Sequence, residues 1–289
     1  MKEELFEILI KEIKSKKQIE DLEDNFIKSR LEQFFLTNGD IRKKLENEFE
    51  KNNKIIKSKI FKEIIKSIRE EIGIVYGSFL TNEFKKKKKY LENKDIKNIL
   101  HTHKSTRERE EYYFEIFTKI FEWYIPKKGI ADLACGQNPI NYSLITSIIN
   151  KEINYYASDL NPKDMEFIQE FFNKNNIKGK AIAHDITQIN FIKDKEFLNC
   201  DLVFLFKALD SFETLKKDIS KEILSKIPQS QVVISFPTKS IKSQLKFKPE
   251  KRNWLRNFLT KKEWKFKEFE VENEMFFLVE KERPRIENC

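Results

Sequence analysis

Near residue 126 the hydrophobic pattern of this chain changes from a helical period to short apolar runs that alternate with amphipathic segments. The apolar runs predict five strands, and amphipathic segments such as Met165–Asn173 and Thr214–Lys226 predict helices between them. This alternation indicates an α/β fold, in which a parallel sheet carries helices on both faces. The predicted strands are Ile130–Ala134, Tyr155–Ser158, Ala181–Ala183, Leu202–Phe206 and Val232–Phe236.

The last part of the chain departs from this alternation. Lys265–Val271 and Met275–Glu280 both resemble strands, and only three residues separate them. Three residues are too few for a crossover helix, so the two strands are predicted to form an antiparallel hairpin. Five alternating units closed by such a hairpin are typical of a class I, Rossmann-like methyltransferase sheet rather than of a dehydrogenase.

The first hundred residues show helical periodicity and almost no strand pattern. Apolar residues recur at four-residue spacing, as in Leu5–Ile13 and Ile56–Ile68, which predicts a bundle of four or five helices. Gly39-Asp40 is interpreted as a break followed by an N-cap, and Gly73 and Gly77 as the limits of a second interruption. We therefore predict an N-terminal helical domain (residues 1–97) and a catalytic domain (residues 98–289).

The charge of the chain permits a polyanionic partner without proving one. Its 56 Lys and Arg residues exceed its 47 Asp and Glu residues, for a formal charge of +9. Two separate basic segments suit contact with a phosphate backbone: residues 51–100, with 14 basic and 6 acidic side chains, and Lys239–Arg256, with seven basic residues and one acid. A lysine run is usually a solvated helix face; because Lys85–Lys89 lies on the connector between domains, RNA contact stays an alternative.

The cysteines and the first residues indicate an intracellular chain. Cys135, Cys200 and Cys289 form no Cys-x-x-Cys pair, and three His residues form no cluster with them, so we expect no zinc or other metal site. Three unpaired thiols suit a reducing compartment. Residues 1–17 resemble an amphipathic helix rather than a signal peptide or membrane span. We expect a soluble, cytoplasmic monomer without a membrane partner.

A small-residue turn follows the first predicted strand. The segment Ala131–Pro139 runs from an apolar strand through Asp132 to Gly136, where backbone can approach a ligand, and Asn138 is predicted to cap the helix that follows. The complete G-x-G-x-x-G pattern that a dinucleotide pyrophosphate needs does not occur here. A sulfonium cofactor carries no phosphate and is compatible with one glycine beside an acid.

Acidic residues also end the second and third predicted strands. Asp159 is placed to accept hydrogen bonds from both hydroxyls of a ribose, and Asp185 is placed to accept one from the amino group of an adenine. Each acid alone is more often a cap than a ligand. Acids at the C-terminal ends of three successive strands, with Asp132, instead predict a binding site for S-adenosyl-L-methionine.

Several motifs resemble the 16S ribosomal RNA guanine-N7 methyltransferases associated with aminoglycoside production and resistance. The resemblance covers roughly residues 100–280, in the order of that family. It rests on His103-x-Ser105-Thr106-x-Glu108-Arg109, Tyr112-Tyr113-Phe114-Glu115-Ile116-Phe117, Asp132-Leu133-Ala134-Cys135-Gly136-Gln137-Asn138-Pro139, Tyr156-Ala157-Ser158-Asp159, Leu205-Phe206-Lys207-Ala208-Leu209 and Val233-Ile234-Ser235-Phe236-Pro237-Thr238-Lys239-Ser240.

The resemblance implies roles for individual residues. Arg109, with Arg107, would hold the carboxylate of the methionine moiety, and His103 and Ser105 would build the same wall of the site. Lys239 would lie beside the target nucleotide or its phosphate. The implied cofactor-binding set is His103, Ser105, Arg107, Arg109, Asp132, Ala134, Gly136, Asn138, Asp159, Leu160, Asp185, Ile186 and Phe206, and the implied catalytic set is Lys207, Phe236 and Lys239.

Some implications stay open at the level of the sequence. Phe236 is equally suited to stacking on a flipped base or to the core at the end of the fifth strand. Either Lys207 or Asp210 could orient the guanine edge. The loop Ile241–Lys248 lacks the glycine that the family usually has, which leaves the target nucleotide undefined. The N-terminal domain would dock on the ribosome.

The expected chemistry needs no base, because guanine N7 has a free in-plane lone pair and the enzyme must only position it for transfer. Methylation of an amino group would favour an Asn/Asp-Pro-Pro-aromatic segment after the fourth strand, where this chain has Lys207-Ala208-Leu209-Asp210. Two alternatives remain from the sequence: a methyltransferase of the same fold that acts on transfer RNA, protein or a small molecule, and a non-catalytic RNA-binding assembly factor.

Overall fold

A seven-stranded sheet forms the centre of the C-terminal part of the chain in the computed structural model, which describes residues 2–51, 55–239 and 247–281. The strand order is β3-β2-β1-β4-β5-β7-β6. Strands β1 to β5 are parallel, whereas β7 is antiparallel to both β5 and β6. The strands are β1 (Gly129–Leu133), β2 (Asn154–Asp159), β3 (Gly179–Ala183), β4 (Leu202–Phe206), β5 (Gln231–Pro237), β6 (Lys265–Val271) and β7 (Glu274–Glu280).

Helices precede the sheet and cover both of its faces. The described residues form α1 (Glu3–Lys14), α2 (Asp24–Thr37), α3 (Gly39–Lys51), α4 (Lys59–Val75), α5 (Lys87–Glu92), α6 (Ile96–His101), α7 (Lys104–Arg109), α8 (Tyr113–Trp123), α9 (Tyr142–Ile149), α10 (Pro162–Lys174), α11 (Lys195–Leu198), α12 (Leu209–Leu215), α13 (Ile219–Lys226) and α14 (Asn253–Lys261). None of these helices is long and apolar enough to cross a membrane. The parallel sheet, the flanking helices and the terminal hairpin confirm the fold class predicted from the sequence.

One predicted helix is two helices in the structure. The segment Thr214–Lys226 is divided between α12 and α13, because the backbone reverses at Asp218, whose φ is +62°. The Glu213 carboxylate accepts hydrogen bonds from the backbone N–H groups of Asp218 and Ser220, both at 2.8 Å. A side chain that supports a turn in this way leaves no trace in hydrophobic periodicity.

Contrary to the prediction, neither Gly39 nor Gly73 interrupts a helix in the N-terminal region. Asn38 separates α2 from α3, so Gly39 is the first residue of α3 rather than the break before it. Gly73 lies inside α4, which continues to Val75 because its buried stripe extends to Ile72. A Cβ atom at Gly73 would have no neighbour within 4 Å, so no close approach explains this glycine.

The N-terminal helices pack around their own apolar core, and that core reaches the sheet domain. It is formed mainly by one face each of α1, α2 and α4, including Leu9, Leu31 and Ile68. Leu215 at the end of α12 and the half-buried Leu160 after β2 join the same cluster. The two parts of the chain therefore share apolar surface, and the division between residues 97 and 98 stays a prediction.

Strands β3 and β6 are the outermost strands of the sheet in the described part of the chain. Along β6 most side chains are exposed and charged, with half-buried Phe266 and Phe269 between them. Central strands β1 and β4 are buried along their whole length, as expected for a sheet covered on both faces.

Candidate active site

Three residues directly after β1 and β4 have a left-handed backbone. The φ angles are +55° at Ala134, +53° at Gly136 and +54° at Lys207. Positive φ is uncommon for residues with a side chain and concentrates at functional sites. These turns lie at the C-terminal ends of parallel strands, where open α/β sheets bind ligands.

The turn after β1 is held by the acid at the end of β2. Asp159 accepts hydrogen bonds from the backbone N–H of Gly136 at 2.8 Å and of Leu160 at 2.6 Å. Burial raises the pKa of Asp159, and these two bonds act against that shift. The carboxylate is therefore fixed in position at the turn, and Ala134 and Asp159 line the same small cavity of about 50 Å³.

His103 covers the glycine of this turn. A Cβ atom on Gly136 would lie 3.0 Å from the His103 ring, so the position requires glycine both for space and for its positive φ. The ring stacks on Phe79 with a centroid distance of 5.6 Å, and its Nδ1 lies 2.8 Å from the Ser105 hydroxyl. Burial, with nearby Arg109, lowers the pKa of His103 to about 3, so the imidazole is neutral at physiological pH.

Asp132 and Asn138 lie beneath the turn rather than on its surface. Each is 1% exposed, and the Asn138 amide donates to Asp132 Oδ2 at 2.7 Å. The Tyr155 hydroxyl donates to the same oxygen at 2.7 Å. The predicted capping role of Asn138 is wrong, because its side chain turns inward to this carboxylate. The geometry favours support of the turn over contact with a cofactor.

The enclosed carboxylate of Asp132 predicts a pH-dependent stability. Burial raises the pKa of Asp132 to about 7, whereas the pKa of an Asp in the unfolded chain is about 3.9. Between these two pKa values, Asp132 is deprotonated in the unfolded state but still protonated in the folded state. The free energy of unfolding therefore falls as pH rises from about 4 to 7. We expect Asp132→Asn to remove this loss. The free energy of unfolding of the variant should therefore rise by about 2 kcal/mol relative to that of the wild type when the pH is raised from 5 to 8. Urea denaturation at both pH values measures it.

Asp201→Asn provides a control of opposite sign. Burial acts to raise the pKa of Asp201, but hydrogen bonds from the backbone N–H groups of residues 127–129 hold it below its usual value. Its contribution to stability is therefore present above the unfolded pKa and is lost as pH falls. A gain for Asp132→Asn that is the same at both pH values would contradict the prediction.

Asp185 begins a second part of the site after β3. Its Oδ1 accepts the Thr187 backbone N–H at 3.0 Å and the Thr187 hydroxyl at 2.5 Å, while Ile186 is buried. Asp185 and Leu160 line a cavity of about 320 Å³. The structure thus brings Asp159, Leu160 and Asp185 to one edge of the sheet, as the sequence predicts. Asp185 also accepts hydrogen bonds within its own turn, from Thr187 and, at 3.4 Å, from the Gln188 amide.

Arg109, the last residue of α7, is buried against the sheet. It is 3% exposed, its Nε donates to Glu274 at 2.8 and 3.0 Å, and its guanidinium lies 5.1 Å from the centre of the Phe206 ring. Arg109 Nη2 is buried without a geometric hydrogen-bond partner. Arg107 is exposed and does not join Arg109, because residues two apart point to different sides of a helix. The structure therefore separates Arg107 from the buried Arg109, and the contribution of Arg107 to the cofactor site stays a prediction.

Glu274 at the start of β7 is the functional candidate that the sequence reasoning missed. It is 3% exposed, accepts from the Ser235 hydroxyl, and pairs with Lys207 Nζ at 3.1 Å. Burial alone would raise the pKa of Glu274, but Arg109 and Lys207 lower it, so the carboxylate is charged. Its signal in the sequence is weak: it is one of two acids that flank the apolar residues 275–279 of β7.

A cavity of about 320 Å³ opens beside this buried ion cluster. Lys207, Lys239 and Asn273 are among its lining residues. Lys207 Nζ also contacts the exposed Glu108 at 2.8 Å. Lys207 and Lys239 therefore approach one cavity from the ends of β4 and β5, as expected for a target side. Residues 241–246 of the predicted target loop lie outside the described residues.

Phe236 does not belong to this cavity. It is fully buried, packs edge-on against Trp254 at 6.3 Å, and lies under the Arg252 guanidinium. Neighbouring residues of a strand point to opposite faces, so Ser235 faces Glu274 while Phe236 faces the core on the other side. Of the two roles that the sequence leaves open for Phe236, the structure supports the core role and contradicts stacking on a flipped base.

The lysine run Lys85–Lys89 is only partly a solvated face. Lys85 pairs with Glu20, and Lys86 pairs with Glu83 at 2.7 Å. Lys87 turns inward and pairs with Asp164 on α10. Lys85 and Lys86 are exposed but engaged in these ion pairs, and Lys88 and Lys89 are exposed as well, so a polyanion can reach the run from this face.

The strand order and the polar groups at the ends of β1 to β4 are those of a Rossmann-like methyltransferase. Among the described residues, the inserted antiparallel β7 between β5 and β6 distinguishes this sheet from an all-parallel nucleotide-binding sheet. The chain belongs to the ribosomal RNA methyltransferase (FmrO) family, whose model matches residues 92–279. The resemblance stated from the sequence motifs is thereby confirmed.

Similar proteins with assigned activities are 16S rRNA (guanine(1405)-N(7))-methyltransferases. The protein of Micromonospora rosea is 25% identical over 183 residues, which are 62% of this chain and 63% of the relative. The protein of Proteus mirabilis is 28% identical over 143 residues, 50% of this chain and 49% of the relative. The chain thus matches less than two thirds of the length of these relatives.

Solved structures extend the likeness of fold to the N-terminal helices. The 16S rRNA methyltransferase RmtF in complex with S-adenosyl-L-homocysteine has a TM-score of 0.76 at 20% identity, with 96% of this chain and 98% of that chain covered. The 16S rRNA methylase RmtB has a TM-score of 0.73 at 19% identity, with the same coverage. At these identities the comparison shows a shared fold.

Proposed function

We propose that this chain transfers a methyl group from S-adenosyl-L-methionine to N7 of a guanine in small-subunit ribosomal RNA. The observation that carries the proposal is the arrangement of Arg109, Asp159 and Asp185 along one edge of the sheet, within the segment that matches the family model. Named relatives that modify 16S rRNA support the choice of substrate.

The residues of this edge fit the proposed cofactor. Asp159 presents a fixed carboxylate that suits two ribose hydroxyls, and Asp185 suits the amino group of adenine. Arg109 keeps a buried Nη2 donor without a geometric partner, which suits a carboxylate of the methionine moiety. His103, neutral and stacked on Phe79, would form the wall beside Gly136.

The residues on the target side bind and orient, and they have no proton to remove. S-adenosyl-L-methionine supplies a methyl group on a positively charged sulfur, and guanine N7 supplies the electron pair. Lys207 and Lys239 face the cavity that would receive the nucleotide, where their ammonium groups suit guanine O6 or a phosphate. Glu274 holds Lys207 in place, and the left-handed backbone of Lys207 fixes where its side chain begins.

The N-terminal helices would dock on the small subunit, as a monomer in the cytoplasm. Their exposed basic residues include Lys88 and Lys89, which lie on the connector that leads to the candidate active site. Phosphate contacts made there would position the enzyme without reading sequence.

Methyl transfer from radiolabelled S-adenosyl-L-methionine tests the proposed function. Purified small subunits, naked 16S rRNA and transfer RNA are offered in parallel, and labelled RNA is mapped by strand cleavage at N7-methylguanine. We expect label in the small subunit that maps to one guanine. Label only in transfer RNA would reject the proposed substrate, and cofactor binding without transfer to any RNA would reject the enzyme activity.

Reversal of two exposed charges tests the docking surface. We expect Lys88→Glu with Lys89→Glu to weaken RNA binding and to lower the salt dependence by about one unit of slope for each lost phosphate contact. Filter binding between about 50 and 200 mM salt measures both. Lys195→Glu with Lys226→Glu makes the same change of charge at exposed positions before β4 and β5, at the opposite edge of the sheet. Equal losses for the two pairs would mean that only net charge matters.

A further inference from the structure

A buried polar network joins the N-terminal helices to the loop after β2. The Tyr76 hydroxyl, at the end of α4, donates to Asp164 Oδ2 at 2.7 Å and accepts from the Asn161 amide at 2.6 Å. Lys87 of α5 forms an ion pair with the other oxygen of Asp164. Tyr76, Asn161 and Asp164 are each less than 9% exposed, so the network is shielded from water.

The loop that this network holds begins at Asp159. Asn161 caps α10 by accepting from the backbone N–H of Lys163 at 2.8 Å, and Leu160 between them packs into the N-terminal apolar core. The loop is thus held by polar bonds on one side and by apolar contact on the other. Burial lowers the pKa of Lys87 to about 8, and the nearby Asp159 carboxylate acts against this shift. The ammonium group therefore lies within electrostatic reach of Asp159.

N-terminal residues also line both cavities next to this loop. Tyr76 and Phe79 share the cavity of Asp159, and Asn25 and Phe26 share the cavity of Asp185. A domain that only docked on RNA would not need to line the cavities of Asp159 and Asp185. The contact is polar and buried, and it lies at the loop that carries the candidate ribose ligand Asp159 and, through Leu160, borders the cavity of Asp185.

We propose that the N-terminal helical domain is part of the cofactor site, with Tyr76 and Lys87 as positioning residues that hold the loop Asp159–Asp164 in its binding geometry. This inference rests on the proposed function, since it assigns the loop to S-adenosyl-L-methionine. The physical reason is that the Asp164 carboxyl group is buried and its ion-pair partner is Lys87: a carboxylate left there without Lys87 would be uncompensated, and the loop would have to move toward water to relieve it. Movement of the loop displaces Asp159, which is five residues away.

Cofactor affinity of the full chain tests the inference. Isothermal titration with S-adenosyl-L-methionine should give about a tenfold higher Kd for Lys87→Met, within the usual range of coupling between sites. Tyr76→Phe keeps the ring and removes only the hydroxyl, and we expect a Kd about threefold higher. Lys87→Arg keeps the charge and should restore most of the affinity. Lys86→Met is the matched control, because Lys86 pairs with Glu83 on the surface of the same segment.

The outcomes separate this inference from the proposed function. A wild-type chain that binds no S-adenosyl-L-methionine would reject the proposed function. Wild-type affinity in folded Lys87→Met, or in Tyr76→Phe if Lys87→Met does not fold, would overturn the positioning role. A lower unfolding temperature with unchanged Kd would also overturn it, because it would reduce the network to a structural contact. Weak binding in Lys87→Met that Lys87→Arg recovers supports the inference.

Discussion

Replacing Asp159 by alanine is expected to raise the Kd for S-adenosyl-L-methionine by about 10- to 100-fold. The variant removes the acceptor for the ribose hydroxyls, and the net loss of one hydrogen bond to a charged group, about 1.5–3 kcal/mol, corresponds to a change of this size in Kd. It also leaves the N–H groups of Gly136 and Leu160 without their partner, which is expected to lower the free energy of unfolding by about 1–3 kcal/mol. Isothermal titration and urea denaturation measure the two effects separately.

Asp201→Ala is the matched control for that experiment. Its carboxylate accepts backbone N–H groups of Lys127, Lys128 and Gly129, at 2.7 to 3.0 Å, so it has the same chemistry as Asp159. It lies before β4, at the opposite edge of the sheet. We expect the control to lose stability and to keep its affinity. An Asp159→Ala variant with wild-type Kd would remove that residue from the cofactor site.

Replacing Glu274 by alanine is expected to lower the free energy of unfolding by about 3–5 kcal/mol. The variant leaves Arg109 buried with its charge uncompensated and leaves Lys207 only its contact with the exposed Glu108, and removal of one partner of a buried ion pair has this order of cost. Glu274→Gln keeps the shape and one acceptor, so we expect a smaller loss. Because Lys207 and Lys239 line one cavity, methyl transfer by folded Glu274→Gln is also expected to fall.

Glu268→Ala serves as the control for the buried cluster. Glu268 pairs with Arg256 through two contacts of 2.7 Å, on the neighbouring strand β6 and at partial exposure. Surface ion pairs contribute about 0–1 kcal/mol, so this variant should change little. Comparable destabilisation by Glu268→Ala and Glu274→Ala would show that burial of the cluster does not decide its contribution.

The strands could be predicted because their apolar runs are short and continuous. β4 and β6 have the predicted limits, β1 is shifted by one residue toward the N-terminus, and β2, β3, β5 and β7 extend beyond the predicted limits by one or two residues. Where the prediction failed, a single polar contact decided the local structure. Glu213 accepts the backbone hydrogen bonds that support the turn between α12 and α13, where one helix was predicted. The Asn138 side chain turns toward Asp132 instead of capping the following helix. Such contacts depend on the direction in which one polar side chain points, and no period of hydrophobicity encodes them.

The candidate site shows the same division. The three acids at the strand ends could be predicted, because topology alone brings the ends of parallel strands to one edge. Glu274 could not, since its partner Arg109 is 165 residues away in the chain. Lys87 could not be separated from its four lysine neighbours either, because its difference lies only in the direction of its side chain toward Asp164.

The outer strands of the sheet bear on how this chain avoids self-association. β6 presents Lys265, Lys267, Glu268 and Glu270 to water, and β3 carries Lys180, which reaches Glu196 at 3.1 Å. Charged side chains on a sheet edge hinder the addition of a further strand from another molecule, which is how edge-to-edge aggregation begins. An apolar substitution on β6, such as Lys267→Val, would thus open a route to insoluble assemblies without touching a single residue of the active site.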